Sequence, residues 1–144
     1  MLKIAIDGPA GSGKSTISKI IATKLGIEYI DTGAMYRAIT LKAIQLGIDI
    51  DDENQYHFLD ICNGRFIMDG VDVSDEIRSV EVTNAVSTPS KMAKVREYLV
   101  EYQQKISNSK NCIMDGRDIG TVVLPDASIK IYLDATIECR ARRR

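Results

Sequence analysis

The clearest chemical pattern in the sequence is a short run that matches G-x-x-x-x-G-K-[ST]: Gly8-Pro9-Ala10-Gly11-Ser12-Gly13-Lys14-Ser15. Glycines let backbone N–H groups converge on phosphate oxygens, and the start of the following helix adds positive potential there. Lys14 is expected to reach the β- and γ-phosphates, and the Ser15 hydroxyl to help bind Mg²⁺. A glycine-rich turn without a ligand is the plainer interpretation. The lysine–serine pair between a strand and a helix favours a nucleotide site.

This motif does not by itself choose among the classes of protein that bind nucleotides. A regulatory GTPase needs an N-K-x-D element to recognise the base, and the sequence contains none. A motor or transporter ATPase needs a longer chain. A kinase of a small molecule therefore fits best.

A second group of polar residues, Asp31 to Arg37, follows a short predicted strand. The carboxyl ends of parallel strands face the ligand crevice of an α/β fold. Arg37 can bind an acceptor phosphate with its planar guanidinium, and Thr32 can donate a hydrogen bond to the same phosphate. The alternative is a plain helix cap beside a solvated arginine.

A third group, Asp115-Gly116-Arg117-Asp118, follows another predicted strand. Asp115 is a candidate for a direct or water-mediated contact to Mg²⁺. Arg117 could bind phosphate, and Asp118 could accept from a donor group of the acceptor. A charged turn held by an internal ion pair is the competing interpretation.

Strands and helices alternate around these groups, which predicts an α/β fold with a parallel sheet. Strands are expected at 1–7, 112–114 and 129–133, all of the buried type, with a short strand at 28–30, and helices are expected at about 17–25 and 34–46. An apolar stripe on the first helix is expected at Ile17, Ile20, Ile21 and Leu25.

The middle of the chain interrupts this alternation. A short acidic helix is expected at 51–60, and then a hairpin of 65–68 and 71–73 with Asp69-Gly70 as its turn. A long helix is expected from about Pro89, with Ser87 or Thr88 as its cap. Its apolar stripe would consist of Met92, Val95, Leu99, Tyr102 and Ile106. We therefore divide the single domain into a core, 1–50 and 108–144, and an inserted region, 51–107.

The composition of the chain limits the classes of partner that it is expected to bind. The 144 residues carry 19 basic and 20 acidic side chains, so a global field for nucleic acid is absent. No apolar run is long enough to span a bilayer, and Met1 leads directly into a strand-like segment, so we expect neither a membrane partner nor a signal peptide. Cys62, Cys112 and Cys139 suit a reducing cytoplasm better than a disulfide or zinc framework, and His57 is expected at the surface.

Three segments together, IDGPAGSGKST, DTGAMYRA and DGRDIGTVVLPDASIKIYLDA, resemble the bacterial cytidylate (CMP) kinases, as does the middle region with GVDVSDEIR and VTNAVST. The resemblance covers essentially the whole chain. It implies a P-loop kinase fold, a parallel sheet flanked by helices with an inserted monophosphate-binding subdomain. It also implies a cytoplasmic monomer that transfers the γ-phosphoryl group of ATP to CMP or dCMP with Mg²⁺.

The resemblance also implies roles for individual residues. Gly8 to Thr16 would bind the ATP phosphates, and Arg37, Arg117 and Thr32 the acceptor phosphate. Ser87, Arg96 and Asp118 match the residues that recognise cytosine. A carboxylate can accept from the exocyclic amine, and an arginine and a hydroxyl can donate to N3 and O2.

The family pattern continues past residue 144 into a lid and a last strand, so the resemblance implies that these are missing and that this chain alone turns over poorly. Arg140, Arg142, Arg143 and Arg144 could clamp phosphates in the transition state, or could simply form a ragged basic helix. Two other functions stay open. One is a P-loop kinase for another acceptor, such as shikimate or gluconate, and the other is a nucleotide-binding module without catalysis.

Overall fold

The computed structural model describes residues 1–53, 67, 68 and 70–143. Its strands and helices follow in the order β1 (Lys3–Asp7), α1 (Lys14–Leu25), β2 (Glu28–Asp31), α2 (Thr32–Gln45), β3 (Ile67–Met68), β4 (Val71–Asp72), α3 (Val80–Ala85), α4 (Ala93–Ser107), β5 (Cys112–Gly116), β6 (Ile129–Tyr132) and α5 (Ile137–Arg142). A π-helical turn, Ile119–Val123, lies between β5 and β6. The predicted alternation of strands and helices is confirmed.

The chain forms two compact units, Met1–Thr32 with Tyr102–Arg144, and Gly33–Glu101. This division assigns nearly all of α2 to the second unit, whereas the sequence was divided at residues 50 and 107. The division of function between a core and an inserted region stays a prediction.

The first unit contains a four-stranded parallel sheet in the order β2-β5-β1-β6. Each of the two central strands contains three successive apolar residues, and these residues, Ile4, Ala5, Ile6 and Cys112–Met114, are buried, as is typical of strands covered on both faces. The register pairs Asp31 with Asp115, and Asp7 with Gly116. Acidic side chains therefore end three neighbouring strands at one edge of the sheet.

Two expectations of burial in the first unit are wrong. Strand β6 lies at the edge of the sheet, and all four of its residues are exposed rather than buried. On α1, Ile17, Ile20 and Leu25 are exposed, and the buried residues are Ser18 and Ala22. Small side chains on this face let the helix lie close to the sheet, a requirement that hydrophobic periodicity does not detect.

The second unit has an apolar core of its own. Ala34, Ala38 and Leu41 of α2 pack with Val73, Ile77 and Val82, and Ile44 packs against this cluster. Strands β3 and β4 pair antiparallel, with Met68 opposite Val71, which confirms the pairing of the predicted hairpin, while Asp69 of its expected turn lies outside the described residues. The expected acidic helix, Arg65, Phe66, His57 and Cys62 lie outside the described residues.

The long helix begins later than expected. Pro89 starts a separate 3₁₀ turn, Pro89–Lys91, and Met92 is extended, so α4 begins only at Ala93. The expected caps are also wrong, since Thr88 makes no capping hydrogen bond with its side chain, whereas Ser79 caps the short helix α3. The predicted stripe is correct at Val95 and Leu99, which are fully buried.

Further along α4, the buried face departs from the predicted stripe. Gln103 and Ser107 are buried instead of Tyr102 and Ile106, which are both half-buried. The buried line thus repeats every four residues from Val95, and it takes in polar side chains that a search for apolar periodicity passes over.

Candidate nucleotide site

The P-loop connects β1 to α1, and its backbone is contacted by three cationic side chains. Lys14 Nζ donates to the carbonyl of Pro9 at 3.0 Å. Arg140 Nε donates to the carbonyl of Ala10 at 2.9 Å, and Arg143 Nη1 to that of Gly11 at 3.1 Å. Both arginines lie on or just after α5. They hold the loop itself in this structure, and neither of their two predicted roles is decided by these contacts.

The electrostatic environment of Lys14 suits an anionic ligand. Partial burial lowers the pKa of its ammonium group, while the carboxylates of Asp115 and Asp7 act in the opposite direction. Desolvation disfavours a charge that has no adequate partner. A bound phosphate would provide that partner, and α1 begins at Lys14 with its N-terminal dipole at the same position.

Gly8 is required by a close approach of two backbones. A Cβ atom on Gly8, whose φ is +155°, would lie 1.9 Å from the carbonyl oxygen of Leu133. That segment cannot easily move away, because the N–H of Leu133 donates to the carbonyl of Asp7 at 2.7 Å. The P-loop thus packs directly against the chain that follows β6.

Gly8→Ala is therefore expected to lower the free energy of unfolding by more than about 3 kcal/mol. Gly26→Ala is the matched control, since Gly26 also has a positive φ of 63° but has open space around it. It should cost only about 1–2 kcal/mol. Urea denaturation measures both values. Equal stability of the two variants would contradict the close approach at Gly8.

Asp115 is a buried carboxylate near the end of β5, and it lies beside the half-buried Tyr29 and the exposed Ser15. Its carboxylate accepts a hydrogen bond from the Tyr29 hydroxyl at 3.1 Å, and the Ser15 hydroxyl also lies within hydrogen-bonding reach. Burial and the neighbouring Asp31 raise the pKa of Asp115 to about 6. Burial, followed by Asp31, also raises the pKa of Tyr29, so its hydroxyl remains a donor.

These oxygen atoms fit a magnesium ion. Mg²⁺ prefers one or two carboxylates together with substrate phosphates and water, rather than a cage made only of protein ligands. Within the described residues no group of three or more His, Cys, Asp or Glu side chains could hold a metal. Ser15, Asp115 and a bound phosphate would supply such a site. Burial, and after it the charge of Asp31, raises the pKa of Asp115, and a bound cation would favour the ionised form of this carboxylate.

Three residues of the first unit are predicted to bind the acceptor: Thr32, which follows β2, and Arg117 and Asp118, which follow β5. Thr32 is buried, and its hydroxyl donates to the carbonyl of Asp115 at 2.7 Å, so it anchors the end of β5 rather than pointing freely into solvent. Arg117 is exposed, and Asp118 is half-buried at the start of the π-helical turn. Their roles toward an acceptor stay predictions.

The remaining predicted site residues, Arg37, Ser87 and Arg96, belong to the second unit. Arg37 Nη1 donates to the hydroxyl of Thr83 at 2.9 Å and, more weakly, to the carbonyl of Ile77 at 3.3 Å. Hydrogen bonds thus fix the side chain of Arg37, whereas the alternative interpretation expected a solvated charge. Ser87 is exposed, and Arg96 is half-buried.

Two residues near the site were missed by the sequence analysis. Tyr29 binds Asp115, and Asp7 accepts two backbone hydrogen bonds from the π-helical turn. Asp7 could have been found, because it ends a strand just as Asp31 and Asp115 do. Tyr29 carried no such signal, since an aromatic residue inside a strand usually belongs to the core.

The parallel sheet, with a P-loop between β1 and α1, has the fold of the P-loop kinases. The structure is similar to a shikimate kinase from Bacteroides thetaiotaomicron, with a TM-score of 0.54 and 14% sequence identity over 99% of this chain and 62% of that one. At this identity the similarity concerns the fold alone. It agrees with the predicted parallel sheet flanked by helices.

Sequence comparison identifies the family. The family model for cytidylate kinase matches residues 4–144, and the chain belongs to that family. It is 56% identical to a cytidylate kinase of Acholeplasma laidlawii and 53% identical to one of Caldanaerobacter subterraneus, in each case over 99% of this chain and 66% of the relative. The chain thus spans about two thirds of the length of these relatives. The resemblance found in the sequence is confirmed.

The described residues include no helix that is both long enough and apolar enough to cross a membrane.

Proposed function

We propose that this chain is the nucleotide-binding part of a kinase that transfers the γ-phosphoryl group of ATP to CMP or dCMP, with Mg²⁺ as cofactor. The observation that carries the proposal is the position of Lys14 and Ser15 beside the buried Asp115 at the carboxyl end of the sheet. This arrangement supports phosphoryl transfer, and membership of the cytidylate kinase family supports the choice of acceptor.

The reaction needs little acid–base chemistry. The acceptor is a phosphate that is already ionised at neutral pH, so catalysis consists of positioning and charge neutralisation. Lys14 would bind the β- and γ-phosphates, and Ser15 with Asp115 would hold the metal, which would supply positive charge against the negative charge that develops in the transition state. Arg37 and Arg117 would bind the acceptor phosphate, for which the guanidinium geometry is well suited.

Recognition of the base would depend on Ser87, Arg96 and Asp118. The carboxylate of Asp118 can accept a hydrogen bond from the exocyclic amine of cytosine, while Arg96 and Ser87 can donate to its two acceptors. Uracil has a carbonyl in place of the amine and an N–H at position 3, so two of these contacts would become mismatched. A site that leaves buried polar groups unpaired discriminates strongly against the wrong substrate.

A single-turnover experiment tests the transfer itself. The chain is held in excess over ATP labelled at the γ-phosphate, with Mg²⁺ and either CMP or UMP, so that even a slow reaction becomes visible. We expect the label to appear in CDP. Label found only in inorganic phosphate would contradict kinase activity, and equal labelling of CDP and UDP would contradict the proposed recognition of cytosine.

A further inference from the structure

The carboxylate of Asp7 joins the strand before the P-loop to the segment after β5. Its Oδ1 accepts from the N–H of Ile119 at 2.7 Å, and its Oδ2 accepts from the N–H of Gly120 at 2.7 Å. Such short bonds to an ionised acceptor are about twice as strong as neutral ones. Because the partners are 112 and 113 residues away, these bonds are tertiary contacts and not a local turn.

The two N–H groups belong to the first turn of the π-helical segment Ile119–Val123. The first N–H groups of a helical turn have no carbonyl partner within it and need an outside acceptor. Asp118 occupies the capping position, but its side chain makes no capping hydrogen bond. Asp7, at the end of β1, therefore caps the π-helical turn in place of Asp118.

The Asp7 carboxylate lies very close to the backbone of Gly120. A Cβ atom on Gly120 would lie 3.2 Å from Asp7 Oδ2 and 3.3 Å from the Lys130 side chain. Both Ile119 and Gly120 are buried. The absence of a side chain at position 120 thus lets the carboxylate approach the backbone directly.

The hydrogen bonds of Asp7 fix one end of the segment between Asp115 and Ile119, and the other end of this segment is fixed as well. Before the segment, the Thr32 hydroxyl donates to the carbonyl of Asp115 at 2.7 Å. After it, Asp7 binds the next two N–H groups. Between these anchors lie Arg117 and Asp118, the residues assigned to the acceptor nucleotide.

We propose that Asp7 is a positioning residue for the acceptor nucleotide: by binding the N–H groups of Ile119 and Gly120 it sets the position of Arg117 and Asp118. This inference rests on the proposed function. It implies that a residue next to the P-loop affects CMP more than ATP, although ATP is the ligand of the P-loop.

The test is Asp7→Asn, which keeps the size of the side chain but turns an N–H₂ group toward one of the two backbone donors. We expect CMP affinity, measured by calorimetry, to fall about tenfold, since a hydrogen bond to a charged group is lost. ATP affinity should stay within about twofold or rise, because a negative charge near Lys14 is removed. Asp126→Asn is the control, an exposed carboxylate that bonds Lys3 and should change neither affinity.

Hydrogen exchange gives a second measurement that does not depend on a ligand. The amide protons of Ile119 and Gly120 should be protected in the wild-type chain and should exchange faster in Asp7→Asn. Unchanged protection would overturn the inference, as would an equal loss of CMP and ATP affinity, which indicates general destabilisation.

The failure of this inference differs from the failure of the proposed function. If the wild-type chain binds CMP and Asp7→Asn binds it equally well, only the role of Asp7 is wrong. If the wild-type chain binds no CMP while the two amides are protected, the acceptor assignment is wrong and the inference falls with it.

Discussion

Lys14→Met is expected to reduce the affinity of the chain for ATP by roughly 100-fold, as a charged contact to phosphate is lost. The fold should be little affected. Burial lowers the pKa of the Lys14 ammonium group, so its charge is not favoured by the fold, and methionine removes the hydrogen bond of this group to the carbonyl of Pro9. Calorimetric titration with ATP measures the affinity, and thermal unfolding checks the fold.

Lys24→Met is the matched control for this variant. Lys24 lies on the same helix, in its last turn, and is exposed. Its removal changes the net charge by the same amount and should alter ATP affinity by less than about twofold, because a distant exposed charge is screened. An equal loss in both variants would mean that overall charge, and not the position of Lys14, determines binding.

Asp115→Asn is expected to stabilise the protein above pH 6 while removing the contribution of Mg²⁺ to ATP binding. The pKa of Asp115 is raised to about 6 from 3.8, so the folded state holds the proton more tightly than the unfolded state. The wild-type free energy of unfolding must then fall as the pH rises from about 4 to 6, and it stays reduced above that.

The size of this gain follows from the shift. A pKa raised by this much corresponds to a gain on the order of 1–3 kcal/mol in the free energy of unfolding. The gain is reduced because Asp115 also favours the charged form of Lys14, and that attraction is lost in the variant. Urea denaturation at pH 4 and pH 7 measures the effect, which should appear only at pH 7. Asp126→Asn, at an exposed carboxylate, should give no such gain.

The Mg²⁺ dependence of ATP binding distinguishes a carboxylate that binds the metal from one that only lowers the stability of the fold. ATP affinity in the wild-type chain should increase when Mg²⁺ is added, and in Asp115→Asn it should not. A variant that remains sensitive to Mg²⁺ would show that other oxygen ligands suffice. A variant with unchanged stability at pH 7 would contradict the raised pKa.

The sequence predicted the central part of the fold well, because its signals there are local. The apolar run of β1, the glycines around α1 and the pairing of β3 with β4 each depend on residues that are close in the sequence. The exposed edge strand β6 and the buried Ser18 and Gln103 were not predicted. Their burial depends on which strand or helix lies next to them, and that is a property of the whole fold.

The position of the candidate site was predicted from local signals, whereas the roles of its residues stay predictions. The P-loop motif lies between β1 and α1 as expected, with Lys14 and Ser15 at the start of α1, and Asp115 lies near the end of β5. The hydrogen bonds of Asp7 and Tyr29 could not be foreseen in detail, because they join residues about 90 to 110 positions apart. Thr32 was expected to face a phosphate, and in this structure its hydroxyl binds the backbone of Asp115.

Calorimetric titration of this chain with CMP, UMP and AMP tests whether the protein recognises cytosine, after a cooperative unfolding transition has shown that the chain is folded. The proposed recognition of cytosine predicts that CMP binds at least about tenfold more tightly than UMP or AMP. Equal binding of the three nucleotides, or no binding by a folded chain, would contradict the assignment of Ser87, Arg96 and Asp118 to the base.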